Sequence, residues 1–83
     1  MIGHDSIIED YVTVGPGAIV SGAVRLHRGT YVGAGSMIRD GVTVNEGALI
    51  GMGSVVVRDV PSETTVIGNP ARPLNSRIKS GEA

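Results

Sequence analysis

The sequence predicts an all-β solenoid in which short parallel strands form three-sided coils stacked around an aliphatic interior. Three observations predict it. First, an aliphatic residue recurs every six positions, at Ile2, Ile8, Val14, Val20, Leu26, Val32, Ile38, Val44, Ile50 and Val56. Ile, Leu and Val make up 23 of the 83 residues, so ten hits in succession have a chance probability on the order of 10⁻⁵. Second, a small or β-branched residue follows each of these by four places, at Ser6, Val12, Ala18, Val24, Thr30, Ser36, Val42, Ala48, Ser54 and Val60, which fills a second interior column. Third, there are 13 Gly but 2 Tyr and no Phe or Trp. That composition suits a narrow prism with tight corners and does not suit a core built on aromatic bulk.

A period of six matches neither a helix nor a lone amphipathic strand, but it does match short strands that turn a corner after every hexad. Three faces close one coil of eighteen residues, and successive coils stack in parallel about 4.8 Å apart. The repeat runs without insertion from Ile2 to Val60, about three and a third coils. Gly15, Gly17, Gly29, Gly33, Gly35, Gly47, Gly51 and Gly53 fall at corners. The stack is short, so both open ends expose apolar surface that must be capped or paired. Pro61 ends the pattern because it cannot donate to a strand ladder. Residues 61–65 then read as a turn, Thr65–Ile67 as a last short strand, and Gly68 to Arg72 as a loop by its Gly and Pro content. The expected organisation is one repeat domain over residues 1–71 and a tail over 72–83, in which Leu74 to Ala83 is frayed or a short helix.

Seven Lys and Arg against eight Asp and Glu give a net charge of −1. That leaves no long-range field for gathering nucleic acid or an anionic membrane, and neither is an expected partner. With no Cys there is no disulfide frame, thiolate metal site or thiol nucleophile, so chemistry falls to His, carboxylates, hydroxyls and backbone amides. The most apolar uncharged stretch, Gly47 to Val57, is far short of the roughly 18 residues a membrane helix needs. His4, Asp5, Glu9 and Asp10 interrupt the N-terminus where a signal peptide would need an apolar run. The expected location is the cytoplasm.

Positions eighteen apart stack, which turns sequence into surface columns. Asp10, Arg28 and Glu46 alternate in sign and predict a salt-bridge ladder on a solvated face, and Asp40 with Arg58 predicts a similar pair. A second column, Gly15-Pro16-Gly17, Gly33-Ala34-Gly35 and Gly51-Met52-Gly53, leaves an edge nearly bare of side chains, where an extended ligand can lie close to backbone amides. The same glycines are also what tight corners require. His4 and His27 are not a multiple of eighteen apart, so they do not stack, and no three or four ligands converge by spacing on a zinc site; no metal is expected. His27, beside Arg28, reads as a solvated turn residue. His4-Asp5 places an imidazole beside a carboxylate that can fix its tautomer and raise its basicity, although such a dipeptide is also common in a surface turn.

The hexads resemble the hexapeptide-repeat family, whose motif is aliphatic-Gly-x-x-small-x and whose fold is a left-handed parallel β-helix. Handedness follows from that resemblance, as does a homotrimer. The run Gly3-His4-Asp5-Ser6-Ile7-Ile8-Glu9-Asp10-Tyr11 and the closing Gly68-Asn69-Pro70-Ala71-Arg72 are similar to segments of the sugar O- and N-acyltransferases related to sialic-acid O-acetyltransferase and the bacillosamine-pathway acetyltransferase. The resemblance implies transfer of acetyl from acetyl-coenzyme A to an amino or hydroxyl group of a sugar or nucleotide sugar. His4 would be the general base and Asp5 would support its basicity. Ala34 and Met52 would line the coenzyme groove between neighbouring subunits; Arg72, Arg77 and Lys79 read first as a solvated tail, with the coenzyme phosphates as the other use open to them. Thr13 matches a position where many relatives carry a second histidine near the thioester, and a hydroxyl there retains a hydrogen-bond donor.

Relatives carry a nucleotide-sugar-binding domain and further coils ahead of this segment, and here His4 is preceded by three residues, so acceptor recognition is expected to be reduced. The alternative expectation is a non-catalytic scaffold or trimerisation module, or the truncated core of a larger acyltransferase. A third use of this fold, the γ-class carbonic anhydrases, needs three histidines around its metal.

Overall fold

The computed structural model describes residues 1–74, so the expected frayed or helical segment beyond Leu74 lies largely outside the described residues, as do Arg77 and Lys79. Nine two-residue strands alternate with two-residue turns: β1 Ile7–Ile8, β2 Thr13–Val14, β3 Ile19–Val20, β4 Arg25–Leu26, β5 Tyr31–Val32, β6 Met37–Ile38, β7 Thr43–Val44, β8 Leu49–Ile50 and β9 Val55–Val56. β10 Thr65–Gly68 and β11 Ala71–Pro73 follow. Three parallel stacks form: β1-β4-β7 is face 1, β2-β5-β8 with β10 and β11 is face 2, and β3-β6-β9 is face 3. Ile7 pairs with Arg25 and Arg25 with Thr43, and the other two faces keep the same eighteen-residue step. No described residue is helical, and no helix is long and apolar enough to cross a membrane.

Within each pair the second residue points inward. Val20, Leu26, Val32, Ile38, Val44 and Ile50 are fully buried, and Ala18, Val24, Val42 and Ala48 fill the second interior column. A stack of this kind buries each side chain mainly against the coils above and below, so burial fails at an open end. Ile2 is 49 % exposed and Ile8 37 %. The expectation of apolar surface at the first coil therefore holds.

Each two-residue turn has its second residue at positive φ from Asp5 to Gly53 and again at Glu63, but the corner at Arg58-Asp59 does not. Gly supplies it at positions 17, 29, 35, 41, 47 and 53, whereas Asp5, Tyr11, Ala23 and Glu63 adopt it without being Gly. Gly33 has a different reason to be Gly. A Cβ there would lie 2.6 Å from the Met52 nitrogen and 2.7 Å from the Ile50 oxygen, both backbone atoms of the next coil.

The structure departs from the sequence reading in three places. Val60 does not continue the second interior column: it bridges Val44, and Val66 pairs with Ile50, both sixteen residues apart. The hexad after Val56 is thus two residues short. The Asp59 carboxylate compensates by accepting the Thr43 amide at 2.8 Å, a donor left without its regular strand partner. Gly68 to Arg72 is also not an open loop, because β10 and β11 pair antiparallel across Asn69-Pro70, with Ile67 opposite Arg72. The hairpin crosses the expected domain boundary at residue 72. Finally, the Asp10-Arg28-Glu46 ladder and the Asp40-Arg58 pair do not close as ion pairs among the described residues. Arg28 instead lies over the Tyr11 ring, 4.9 Å from its centroid.

Candidate functional site

The turn carrying His4 and Asp5 is the corner between faces 3 and 1 in the first coil. It forms because Ile2 bridges Val20 on one side and β1 pairs with β4 on the other, so the intervening residues must reverse direction within two positions. Both side chains are exposed, and Asp5 has φ 60°. The His4 carbonyl accepts the Ala23 amide at 2.8 Å, and the Gly3 amide donates to the Val20 carbonyl. Gly3 lies so close to the Ser21-Gly22 backbone that a Cβ there would sit 2.6 Å from the Gly22 nitrogen. Gly22 stacks one coil above His4, and its amide makes no hydrogen bond among the described residues. An imidazole and an unpartnered backbone donor therefore share one corner.

Ala34 and Met52 occupy the corner between faces 2 and 3, in the second and third coils. Pro16, Ala34 and Met52 stack there, tied by the Gly35 amide to the Pro16 carbonyl at 3.0 Å and by the Gly53 amide to the Ala34 carbonyl at 2.9 Å. The Ala34 and Met52 amides have no partner among the described residues, so the edge carries donors an extended ligand could use. Met52 is 74 % exposed and is the one large side chain in this column. At the upper end the Ile67 side chain lies against Gly51. Thr13 opens β2 on the adjoining face 2, with its side chain outward and its amide donating to the Thr30 carbonyl at 3.0 Å.

Within one chain, then, Thr13 adjoins the bare edge with Ala34 and Met52, whereas His4 and Asp5 stand one full face away. Face 3 lies between them, and its outward residues are Ile19, Met37 and Val55, all apolar. The six-residue period assigns each residue to a column; it does not say which edges a ligand joins.

The corner between faces 1 and 2 holds a pair the sequence reading missed. The Glu9 carboxylate lies 3.2 Å from His27 Nδ1 and accepts the Arg28 amide at 2.9 Å. The Arg28 amide first and His27 second hold the Glu9 carboxyl below its ordinary value. His27 is thus a pairing residue and not a free turn residue. The signal was present, since Glu9 and His27 are eighteen apart. No group of three or more His, Asp or Glu side chains converges among the described residues. A hollow of about 230 Å³ lies at the opposite end of the stack from His4, with Val56, Val60, Val66 and Ala71 inside and Arg58 and Arg72 at its rim.

Residues 23–58 match the family model described as bacterial transferase hexapeptide (six repeats). No curated protein matches the sequence. Among solved structures, the chain is 41 % identical to WeeI from Acinetobacter baumannii AYE, covering 88 % of this chain and 37 % of that one, with a TM-score of 0.85. It is also 41 % identical to the acetyltransferase domain of PglB from Neisseria gonorrhoeae FA1090 in complex with acetyl coenzyme A, covering 86 % and 35 %, with a TM-score of 0.84. A mutant of perosamine N-acetyltransferase from Caulobacter crescentus, in complex with CoA and GDP-perosamine, is 30 % identical over 88 % of this chain and 35 % of that one, with a TM-score of 0.87. The chain spans little more than a third of the length of these relatives. Residues 23–58 thus carry the hexapeptide repeat of bacterial transferases, and by its repeat, its stacked parallel coils and this identity the chain is similar to these acetyltransferases over most of its own length.

Proposed function

We propose that the chain acts as a homotrimer of left-handed coils in the cytoplasm. It transfers acetyl from acetyl-coenzyme A to an amino or hydroxyl group of a nucleotide sugar. The observation that carries the reading is the 41 % identity, over 86 % of this chain, to an acetyltransferase domain solved with acetyl coenzyme A. The geometry supplies the parts. His4, exposed at its corner, takes the proton of the acceptor as its nitrogen or oxygen attacks the thioester carbonyl. Asp5, its neighbour in the same exposed turn, is the carboxylate that would partner the imidazole. The carbonyl oxygen becomes an oxyanion next to His4, so the donor suited to it is the unpartnered Gly22 amide, one coil above on the same corner. The bare edge, with its free Ala34 and Met52 amides, suits the pantetheine arm instead. The carbon–sulfur bond then breaks, coenzyme A leaves as thiolate, and the proton held by His4 passes to the sulfur. No covalent enzyme intermediate is required.

Assembly follows from the same map. A ligand spanning the edge and the His4 corner cannot do so across the outer surface of face 3, whose apolar residues suit burial against a neighbour. The edge of one copy meeting the His4 corner of another satisfies both.

Calorimetric titration of acetyl-coenzyme A into protein of known mass in solution tests the groove and the assembly together. The expected result is one saturable site per chain in a trimer. His4→Ala should keep the trimer and the binding while lowering turnover with GDP-perosamine, the substrate of the Caulobacter relative, by about 10²–10⁴. Unchanged turnover in that variant would remove His4 from the mechanism. The second reading, a non-catalytic trimerisation module, is favoured by Thr13, whose short hydroxyl stands outward on face 2 where the resemblance expects a histidine. A well-formed trimer that fails to bind acetyl-coenzyme A would favour it.

A further inference from the structure

We infer that Ser6 is a positioning residue for His4, a role that rests on His4 being the general base. Ser6 is half-buried, and its hydroxyl donates to the Ser21 carbonyl of the next coil at 2.9 Å. Ser21 opens the segment Ser21-Gly22-Ala23, which also takes two further contacts of the His4 turn, while the flanking strands bond to Val20 and Val24 on either side of it. Gly3 packs against the Ser21 carbonyl carbon and the Gly22 nitrogen, and the Ala23 amide holds the His4 carbonyl. The turn is therefore fixed before His4, at His4 and after Asp5, and Ser6 supplies the third point. Without it, Asp5 at φ 60° is followed by a residue with no side-chain tether, in a first coil that has no coil beneath it.

The bond does more than add stability, because of what it aligns. The Ser21 carbonyl and the Gly22 amide belong to one rigid peptide plane. Fixing the carbonyl to the Ser6 hydroxyl therefore orients the Gly22 N–H relative to the turn that carries the imidazole. A hydroxyl two residues after His4 thus sets the relation between the base and the proposed oxyanion donor while touching neither the coenzyme nor the acceptor. The same kind of staple occurs where no site residue lies: Asn45 Nδ2 donates to the Val60 carbonyl at 2.8 Å, again across coils. That bond provides the control.

The test compares Ser6→Ala, Ser6→Thr and Asn45→Ala in the full chain, measuring coenzyme A release with GDP-perosamine as acceptor and amide exchange at Ala23. The expected result for Ser6→Ala is a kcat lowered about tenfold with KM for acetyl-coenzyme A unchanged, and faster exchange at Ala23. Ser6→Thr, which keeps the hydroxyl, restores both. Asn45→Ala lowers Tm to a similar degree and leaves kcat alone. Equal kcat losses in Ser6→Ala and Asn45→Ala would overturn the inference, as would unchanged Ala23 exchange in Ser6→Ala. If His4→Ala turns over as the parent does, or the parent does not turn over at all, the general-base reading for this acceptor falls and the positioning role falls with it. A His4→Ala loss without a Ser6→Ala loss removes Ser6 alone.

Discussion

Gly33 and Gly35 are two residues apart in the same corner, yet Ala at each should fail for opposite reasons and to different extents. At Gly35 a Cβ meets nothing within 4 Å, but φ is +71°. The cost there is the left-handed conformation, about 1–2 kcal/mol, partly offset by the 0.4–1 kcal/mol that Ala gains through a less mobile unfolded chain. A net loss of about 1 kcal/mol follows. At Gly33 the conformation is ordinary and space is missing. A Cβ 2.6 Å from the Met52 nitrogen must withdraw by about 0.8 Å to reach ordinary contact at 3.4 Å. That separation would stretch the bond from the Gly33 amide to the Ile50 carbonyl from 2.8 Å to about 3.6 Å, beyond hydrogen-bonding range. The adjacent bond from the Gly53 amide to the Ala34 carbonyl, at 2.9 Å, would stretch with it. Two lost bonds at about 1 kcal/mol each, with a buried donor left unpaired at a further 1–3 kcal/mol, give about 3–5 kcal/mol. Urea unfolding followed by far-ultraviolet circular dichroism at one fixed protein concentration would measure both variants, since the proposed assembly would make the midpoint concentration-dependent. Gly33→Ala should be the worse by about 2–4 kcal/mol at unchanged m. If Gly35→Ala costs as much or more, the coil spacing is not set by rigid backbone contact and the reasoning fails.

Thr30 Oγ1 is buried without a hydrogen-bond partner among the described residues, so Thr30→Val should stabilise by about 1 kcal/mol in the same assay, and a loss would reveal a partner for that hydroxyl. Ile38, fully buried between Val20 and Val56, should cost about 2–5 kcal/mol as Ala. Ile8, 37 % exposed at the open first coil, should cost about 1–2 kcal/mol; equal losses would mean the first coil is covered in solution. The Glu9 carboxyl is held below its ordinary value by the Arg28 amide and by His27. Its contribution is therefore complete above that value and is lost as pH falls through the lowered one. Parent protein should lose stability below about pH 4.5 more steeply than Glu9→Gln, read as unfolding midpoint against pH. Parallel curves would show that the pair does not form.

The columns were legible because period six is an inventory of directions. Once Ile2 to Val56 fall on one inward column, every other residue has an assigned face or corner. This placed Ala34 and Met52 on one edge correctly, and it could have paired Glu9 with His27 at the same spacing. The end of the stack was not legible, because the repeat stops through a shortened hexad. A count of six puts Val60 in the second column, but the Asp59 carboxylate replaces a missing strand acceptor and allows the chain to close two residues early. The side-chain identity of Asp59 shows nothing of that substitution until its distance to the Thr43 amide is known. The ion-pair ladders failed for a related reason. Stacking brings the Cα atoms of Asp10, Arg28 and Glu46 into line, yet Tyr11 offers the Arg28 guanidinium an aromatic face within 4.9 Å, which sequence columns do not weigh against a carboxylate.

The candidate site shows the same limit in its sharpest form. His4-Asp5 and the Ala34-Met52 edge are each assigned by counting, and counting also puts face 3 between them. In the proposed trimer a chemistry that needs both would come from contact between chains, and the outward character of face 3 then becomes the property to test. The outward strand residues Ile19, Met37 and Val55 carry no charge, with Arg39 exposed beside Met37, whereas face 1 presents Arg25 between Ile7 and Thr43. Burying such a face against a partner returns about 25 cal/mol for each Å² of apolar surface removed from water. A charge at its centre should therefore separate assembly from fold. Met37→Glu, half-exposed in the single chain, should leave the monomer's unfolding midpoint little changed while shifting the solution mass downward and abolishing saturable acetyl-coenzyme A binding. A Met37→Glu protein that stays assembled and still binds would mean that another face makes the contact, and the edge and the His4 corner would have to be joined by some other route.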